Sequence, residues 1–76
     1  MSFHIILTTY EQIKTFVSLA ARQNFDIRVG NDRQNINGKD FIGMCSLDFS
    51  RPLQVQTDCS AEEAKEFCRS AMAIQN

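Results

Sequence analysis

Residues 3–7, FHIIL, place Phe3, Ile5 and Leu7 on one side and His4 and Ile6 on the other. That is the period of two that a strand imposes. The period then changes. Ile13, Phe16, Val17, Ala20 and Ala21 recur at intervals of three and four, the apolar stripe of an amphipathic helix, and predict one over 10–23. Thr8 with Glu11, or Thr9 with Gln12, supplies a capping box at its start. The period of two returns in DIRVGNDRQNIN (26–37), where Ile27 and Val29 alternate with Arg28 and Ile36 lies on the returning arm. Gly30, Asn31 and Asp32 carry turn chemistry, so the segment reads as a hairpin. LQVQTD (53–58) alternates again, with Pro52 just before it. Ser60 and Glu63 form a second capping box, and Ala64, Phe67, Cys68 and Ala71 predict a helix to about Ile74.

Between hairpin and last strand stands GKDFIGMCSL (38–47), an apolar run of about two turns, headed by Asp40 and interrupted by Gly43. As a short helix it cannot turn every apolar residue inward. Met44 and Leu47 share the face that suits a core. Phe41, Ile42 and Cys45 fall toward another face and are expected to be partly exposed. The element order becomes β-α-β-β-α-β-α, a single domain over 1–76 of α/β (α+β) class, with helices on one face of an antiparallel sheet. Phe16, Val17, Ile27, Val29, Val55 and Phe67 are the expected core.

Composition narrows the function. The formal net charge is −1 and the basic residues are scattered, which argues against a nucleic-acid partner. No apolar run reaches the roughly 20 residues of a membrane span, and the first residues lack the basic leader of a signal peptide. The expectation is a cytoplasmic chain with no membrane association. Cys45, Cys59 and Cys68 form no CxxC pair, so reduced thiols are expected in place of a disulfide framework or a zinc site. His4 is the single histidine, and no Ser/His/Asp set, Cys/His set or glycine-rich phosphate loop accompanies it. Neither an enzyme nor a cofactor is expected.

The element order, and DIRVGNDRQNINGKDFIGMCSL above all, resemble the HPr phosphocarrier family of the bacterial sugar phosphotransferase system. Ile36, Asn37, Lys39, Gly43, Ser46 and Leu47 fall in register with that family's pattern without gaps. VSLAARQNFDI and SAEEAKEFC are similar to the end of its first helix and the start of its last. The resemblance covers nearly the whole chain. It implies an HPr-like open-faced β-sandwich with a four-stranded antiparallel sheet in the order 1-4-2-3.

The departures bear on activity. The family accepts phosphate on a histidine that begins the first helix, in a Gly-x-His-Ala-Arg-Pro motif. Here the matching segment, LTTYEQIK, is about three residues shorter and holds no histidine; Thr9, Tyr10 and Glu11 stand in the degenerate acceptor region. A helix start favours an anion, but Glu11 would meet an arriving phosphate with repulsion. A phosphoester on Thr9 or Tyr10 would be a far poorer phosphoryl donor than a phosphoimidazole.

Asp40 falls where the family has a serine that a kinase phosphorylates in low-GC Gram-positive members, creating a binding site for a transcriptional regulator. Asp40 reads either as a helix cap or as a fixed, partial mimic of that phosphoserine. The resemblance further implies that the short helix and the start of the first one form a docking surface. Its residues would be Tyr10, Glu11, Lys14, Asp40, Phe41, Ile42 and Cys45, with Gly43 allowing close approach.

The leading expectation is therefore a Crh-like, non-catalytic adaptor or regulator, monomeric or a weak homodimer. Its partners would be phosphotransferase components or a transcriptional regulator. The alternatives are a genuine phosphocarrier using another acceptor residue, and a topologically similar small-molecule-binding or oligomerising sandwich.

Overall fold

The computed structural model describes residues 1–75. The first strand, β1 (Ser2–Ile5), leads into α1 (Tyr10–Ala21); a hairpin of β2 (Ile27–Gly30) and β3 (Asn35–Asn37) follows. A short helix, α2 (Phe41–Met44), precedes β4 (Leu53–Thr57), and α3 (Ala61–Met72) runs into a 3-10 turn over Ala73–Gln75. The sheet order is β1-β4-β2-β3, with every neighbouring pair antiparallel. The long crossovers place β4 between strands that are distant in sequence, so both hairpin and N-terminus dock on it.

The alternation read from the sequence sets which side of each strand is covered. Ile5, Ile27, Val29, Leu53 and Val55 are buried under the helical layer, while His4, Arg28, Gln54 and Gln56 face outward and are exposed. Phe16, Leu19 and Ala20 of α1, Met44 and Leu47 around α2, and Phe67 and Ala71 of α3 close the core from the helical side. Phe67 is its aromatic hub, with ring centroids 5.9 Å from Phe16, 6.0 Å from Phe25 and 6.1 Å from Phe3. Val17, expected in the core, is only partly buried, and Ala21 is exposed; Leu19 takes the inward position instead. α1 meets the sheet along the line of Ile13, Phe16 and Ala20, which turns Val17 toward the rim.

The two long helices begin at working capping boxes, Thr9 with Gln12 and Ser60 with Glu63. Thr8 with Glu11 is not used. Three expected boundaries contract. β1 ends at Ile5, because the Ile6 amide is bonded by the Gln75 side chain at 2.6 Å. α1 ends at Ala21, where the Arg22 amide tightens onto the Leu19 carbonyl. The helix within 38–47 is one α-helical turn, and the amides of Ser46 and Leu47 close back on Gly43 and Met44. Among the described residues, no helix is long and apolar enough to cross a membrane.

Candidate functional site

The β1–α1 junction is built around Gln12. Its Oε1 accepts from the Thr8 amide at 2.7 Å, the Thr8 hydroxyl at 3.0 Å and the Thr9 amide at 3.1 Å. The Gln12 amide in turn donates to Thr9 Oγ1 at 3.1 Å. Its Nε2 donates to the Ile74 carbonyl at 3.2 Å, so one side chain seals the helix start and ties the C-terminal turn to it. The N–H groups of Thr8, Thr9 and Gln12 are thus already bonded within the chain. Sequence reasoning found the box but not the tie to Ile74, because a contact 62 residues away leaves no local pattern.

Gln12→Ala is expected to cost about 1–2 kcal/mol, the scale of a lost cap plus one tertiary hydrogen bond. Urea titration gives the loss, and hydrogen exchange at the Thr8 and Thr9 amides should accelerate with it.

The apolar part of the site begins at Tyr10, the first residue of α1. Tyr10, 61% exposed, meets Phe41 edge-on with ring centroids 5.6 Å apart. This geometry suits the quadrupoles of the two rings and joins the start of α1 to α2. Ile42 projects outward with 78% of its surface exposed, and Cys45 is exposed on the same short segment. Phe41 itself is half-buried, packed on the core edge. Glu11 and Lys14 are exposed on α1. The expected split holds: Met44 and Leu47 are buried, and Phe41, Ile42 and Cys45 retain exposed surface.

One expectation about this segment is corrected. Asp40 occupies the N-cap position of α2, with φ −100° and ψ 103°, but its side chain accepts no capping hydrogen bond. The carboxylate lies over Gly43 instead, its Oδ2 only 3.0 Å from where a Cβ would stand. The Asp40 side chain remains exposed beside Phe41. Gly43, for its part, makes room within the fold: a Cβ there would stand 2.7 Å from Ile36 Cγ2 of β3. The glycine lets the short helix lie against the sheet edge.

His4 sits on the outer face of the sheet, opposite Gln54 in register, and not at the helix start. Cys45 is exposed, whereas Cys59 and Cys68 are half-buried, and all three are free thiols. Among the described residues, no group of three or more His, Cys, Asp or Glu side chains is placed to hold a metal ion.

A four-stranded antiparallel sheet in the order 1-4-2-3, covered by helices on one side and open on the other, is the HPr-like open-faced β-sandwich. The chain is similar in structure to a phosphocarrier protein HPr from Bacillus anthracis str. Ames, with a TM-score of 0.77 and 19% identity; the match covers 100% of this chain and 96% of that one. It is likewise similar to HPr-C-His from Thermoanaerobacter tengcongensis, with a TM-score of 0.76 and 21% identity over 99% of this chain and 91% of that one. The likeness is one of fold. No family model matches the chain, and no curated protein sequence does.

Proposed function

We propose that the chain is a divergent, Crh-like relative of the HPr phosphocarriers. In this reading it acts in the cytoplasm as a non-catalytic adaptor or regulator and grips a protein partner through Tyr10, Phe41, Ile42 and Cys45. Exposed Ile42 beside the Tyr10–Phe41 edge pair carries the reading. An aliphatic side chain left this open, one residue from Phe41 and two from Asp40, with Glu11 and Lys14 exposed on α1, has the make-up of a docking anchor with a polar rim. The loss of phosphoryl relay is supported by the threonine cap and the committed Gln12 carbonyl at the start of α1. The single histidine on the outer sheet face supports it further.

Ile42→Glu tests the surface without disturbing the core. Pull-down from the host cytosol should lose one specific band with this variant. Once the partner is purified, binding should weaken by about 2 kcal/mol or more, the scale of a central anchor. Undiminished capture would remove the docking reading. Incubation with phosphoenolpyruvate and enzyme I separates the alternative. No acid-labile phosphate adduct is expected, and an adduct would restore a phosphocarrier with an unexpected acceptor.

Asp40 enters as a fixed partial mimic of phosphoserine. A carboxylate carries less charge and fewer acceptor oxygens than phosphate, but it holds negative charge at the rim permanently. Asp40→Ser should leave stability within about 0.5 kcal/mol, since no cap bond is lost. It should also weaken partner binding until a kinase phosphorylates the new serine. Equal affinity before phosphorylation would leave the aspartate with no part in recognition.

A further inference from the structure

The sheet leaves two strands with an outer edge, β1 and β3. The hydrogen bonds at the ends of the strands fix which of their main-chain groups face outward. The Met1 amine donates to the Thr57 carbonyl at 3.2 Å and the Thr57 amide to the Met1 carbonyl at 2.9 Å, so Met1 and Thr57 exchange both bonds. In an antiparallel pair such exchanges fall on alternate residues. Along β1 they come next at Phe3 and Ile5, opposite Val55 and Leu53. The N–H and C=O groups of Ser2 and His4 therefore point away from β4, and the Ile6 amide continues that outward series. On β3 the inward residues are Gln34, Ile36 and Gly38, as the Asn31–Gln34 bond at 3.0 Å and the Gly38–Ile27 bond at 2.8 Å require.

The two edges differ. β3 is three residues long, and the outward carbonyl of Asn37 is taken by the Asp40 amide at 2.9 Å. β1 carries none of the side chains that discourage strand addition: Ser2-Phe3-His4-Ile5 holds no lysine, acid or proline. What closes this edge is Gln75, in the C-terminal 3-10 turn. Its Oε1 accepts from the Ile6 amide at 2.6 Å. Its Nε2 lies 3.5 Å from Met72 Sδ, which orients the amide, and Gln12 Nε2 on the Ile74 carbonyl holds the turn in place. The Gln75 amide thus sits where the main-chain carbonyl of an added strand would sit.

We propose that Gln75 is a guard on the outer edge of β1, and that the occupant it keeps off is the same edge of a second copy. An edge strand without charge meets its own copy without repulsion. In an antiparallel two-fold pairing centred on His4, His4 faces His4, and each Ser2 exchanges bonds with the Ile6 of the other copy. The Ile6 amide is a donor in that ladder, so Gln75 must leave before the ladder forms. When it leaves, the two sheets join into one, and Ile6, 49% exposed, gains a cross-strand neighbour. The pairing uses β1 and the C-terminal turn alone, so it is independent of docking through α2.

Sedimentation velocity and amide hydrogen exchange on the 15N-labelled chain test this with Gln75→Ala and Gln75→Glu. In dilute solution the Ile6 amide should exchange faster in Gln75→Ala but not in Gln75→Glu, whose carboxylate still accepts from it. Gln75→Ala should self-associate at least about tenfold more tightly than the parent, the scale of no longer having to break one hydrogen bond in each copy. Protection of the Ser2, His4 and Ile6 amides should rise with its concentration. Gln75→Glu should associate no more than the parent. Adding His4→Lys to Gln75→Ala sets like charges opposite one another and should reverse the association; adding Ile42→Glu should not. The same spectra report whether each variant is folded. A Gln75→Ala chain still monomeric at millimolar concentration would overturn the proposal, whether or not its edge then takes an extended segment of another protein. So would a parent that associates as tightly as the alanine variant, a dimer protected at α2 instead of β1, or one that His4→Lys leaves intact.

Discussion

Replacing Phe67 by alanine is expected to remove about 3–5 kcal/mol of stability, the largest loss of any single truncation in the core. Phe67 is 2% exposed and its ring meets those of Phe3 on β1, Phe16 on α1 and Phe25 ahead of β2. Truncating a buried phenylalanine costs about 3–5 kcal/mol in transfer and cavity energy, and edge-on aromatic contacts add to what burial alone gives. A chain of 76 residues has a total stability of roughly 4–11 kcal/mol by the usual per-residue scale. One residue therefore holds a large share of it. The check is a urea titration read by far-UV circular dichroism. Phe67→Leu, which keeps most of the volume, should lose far less. A midpoint for the alanine variant close to that of the parent would mean that α3 contributes little to the core.

Gly30→Ala is expected to be nearly as damaging, for a reason unrelated to burial. Gly30 has no positive φ, so its freedom of backbone conformation is not what is used. A Cβ at this position would overlap the carbonyl oxygen of Gln34 and crowd Asn35 Cα, both main-chain atoms of the returning arm. That carbonyl accepts from the Asn31 amide at 3.0 Å, which closes the turn. Because the obstacle is backbone, no side-chain rotation relieves it, and the hairpin must open or shift. A loss of about 2–4 kcal/mol fits forced overpacking against an unyielding neighbour. Thermal melting should show a fall of several degrees for each kcal/mol in a domain this small. Hydrogen exchange should accelerate first at Val29 and Asn31. An unchanged melting temperature would show that the turn repacks freely.

Much of the architecture was legible in the sequence because it rests on local periodicity. The alternation in LQVQT and the stripe of Ile13, Phe16 and Ala20 are consequences of strand and helix geometry, and both capping boxes are four-residue patterns. What was misread depended on which neighbour arrived. Val17 and Leu19 have equal claims by spacing to the inner face of α1, and only the angle at which the helix meets the sheet selects Leu19. Asp40 has the right identity and position for a cap, yet its carboxylate turns to Gly43. Gly43 signalled a close approach, but its spacing in the chain could not name Ile36 as the neighbour. Gln12 could be assigned to a box, but not to Ile74.

By itself, then, the sequence determined the element types, their order, the inward half of every strand, and the want of a histidine where the first helix starts. These follow from side-chain chemistry and from periods of two and 3.6, which act over a few residues. The tertiary structure alone decided that Tyr10 and Phe41 meet edge-on and that the last turn is latched to the first helix. These contacts join positions 31 and 62 residues apart, and a chain fixes such neighbours only when burial of the common core sets its elements side by side.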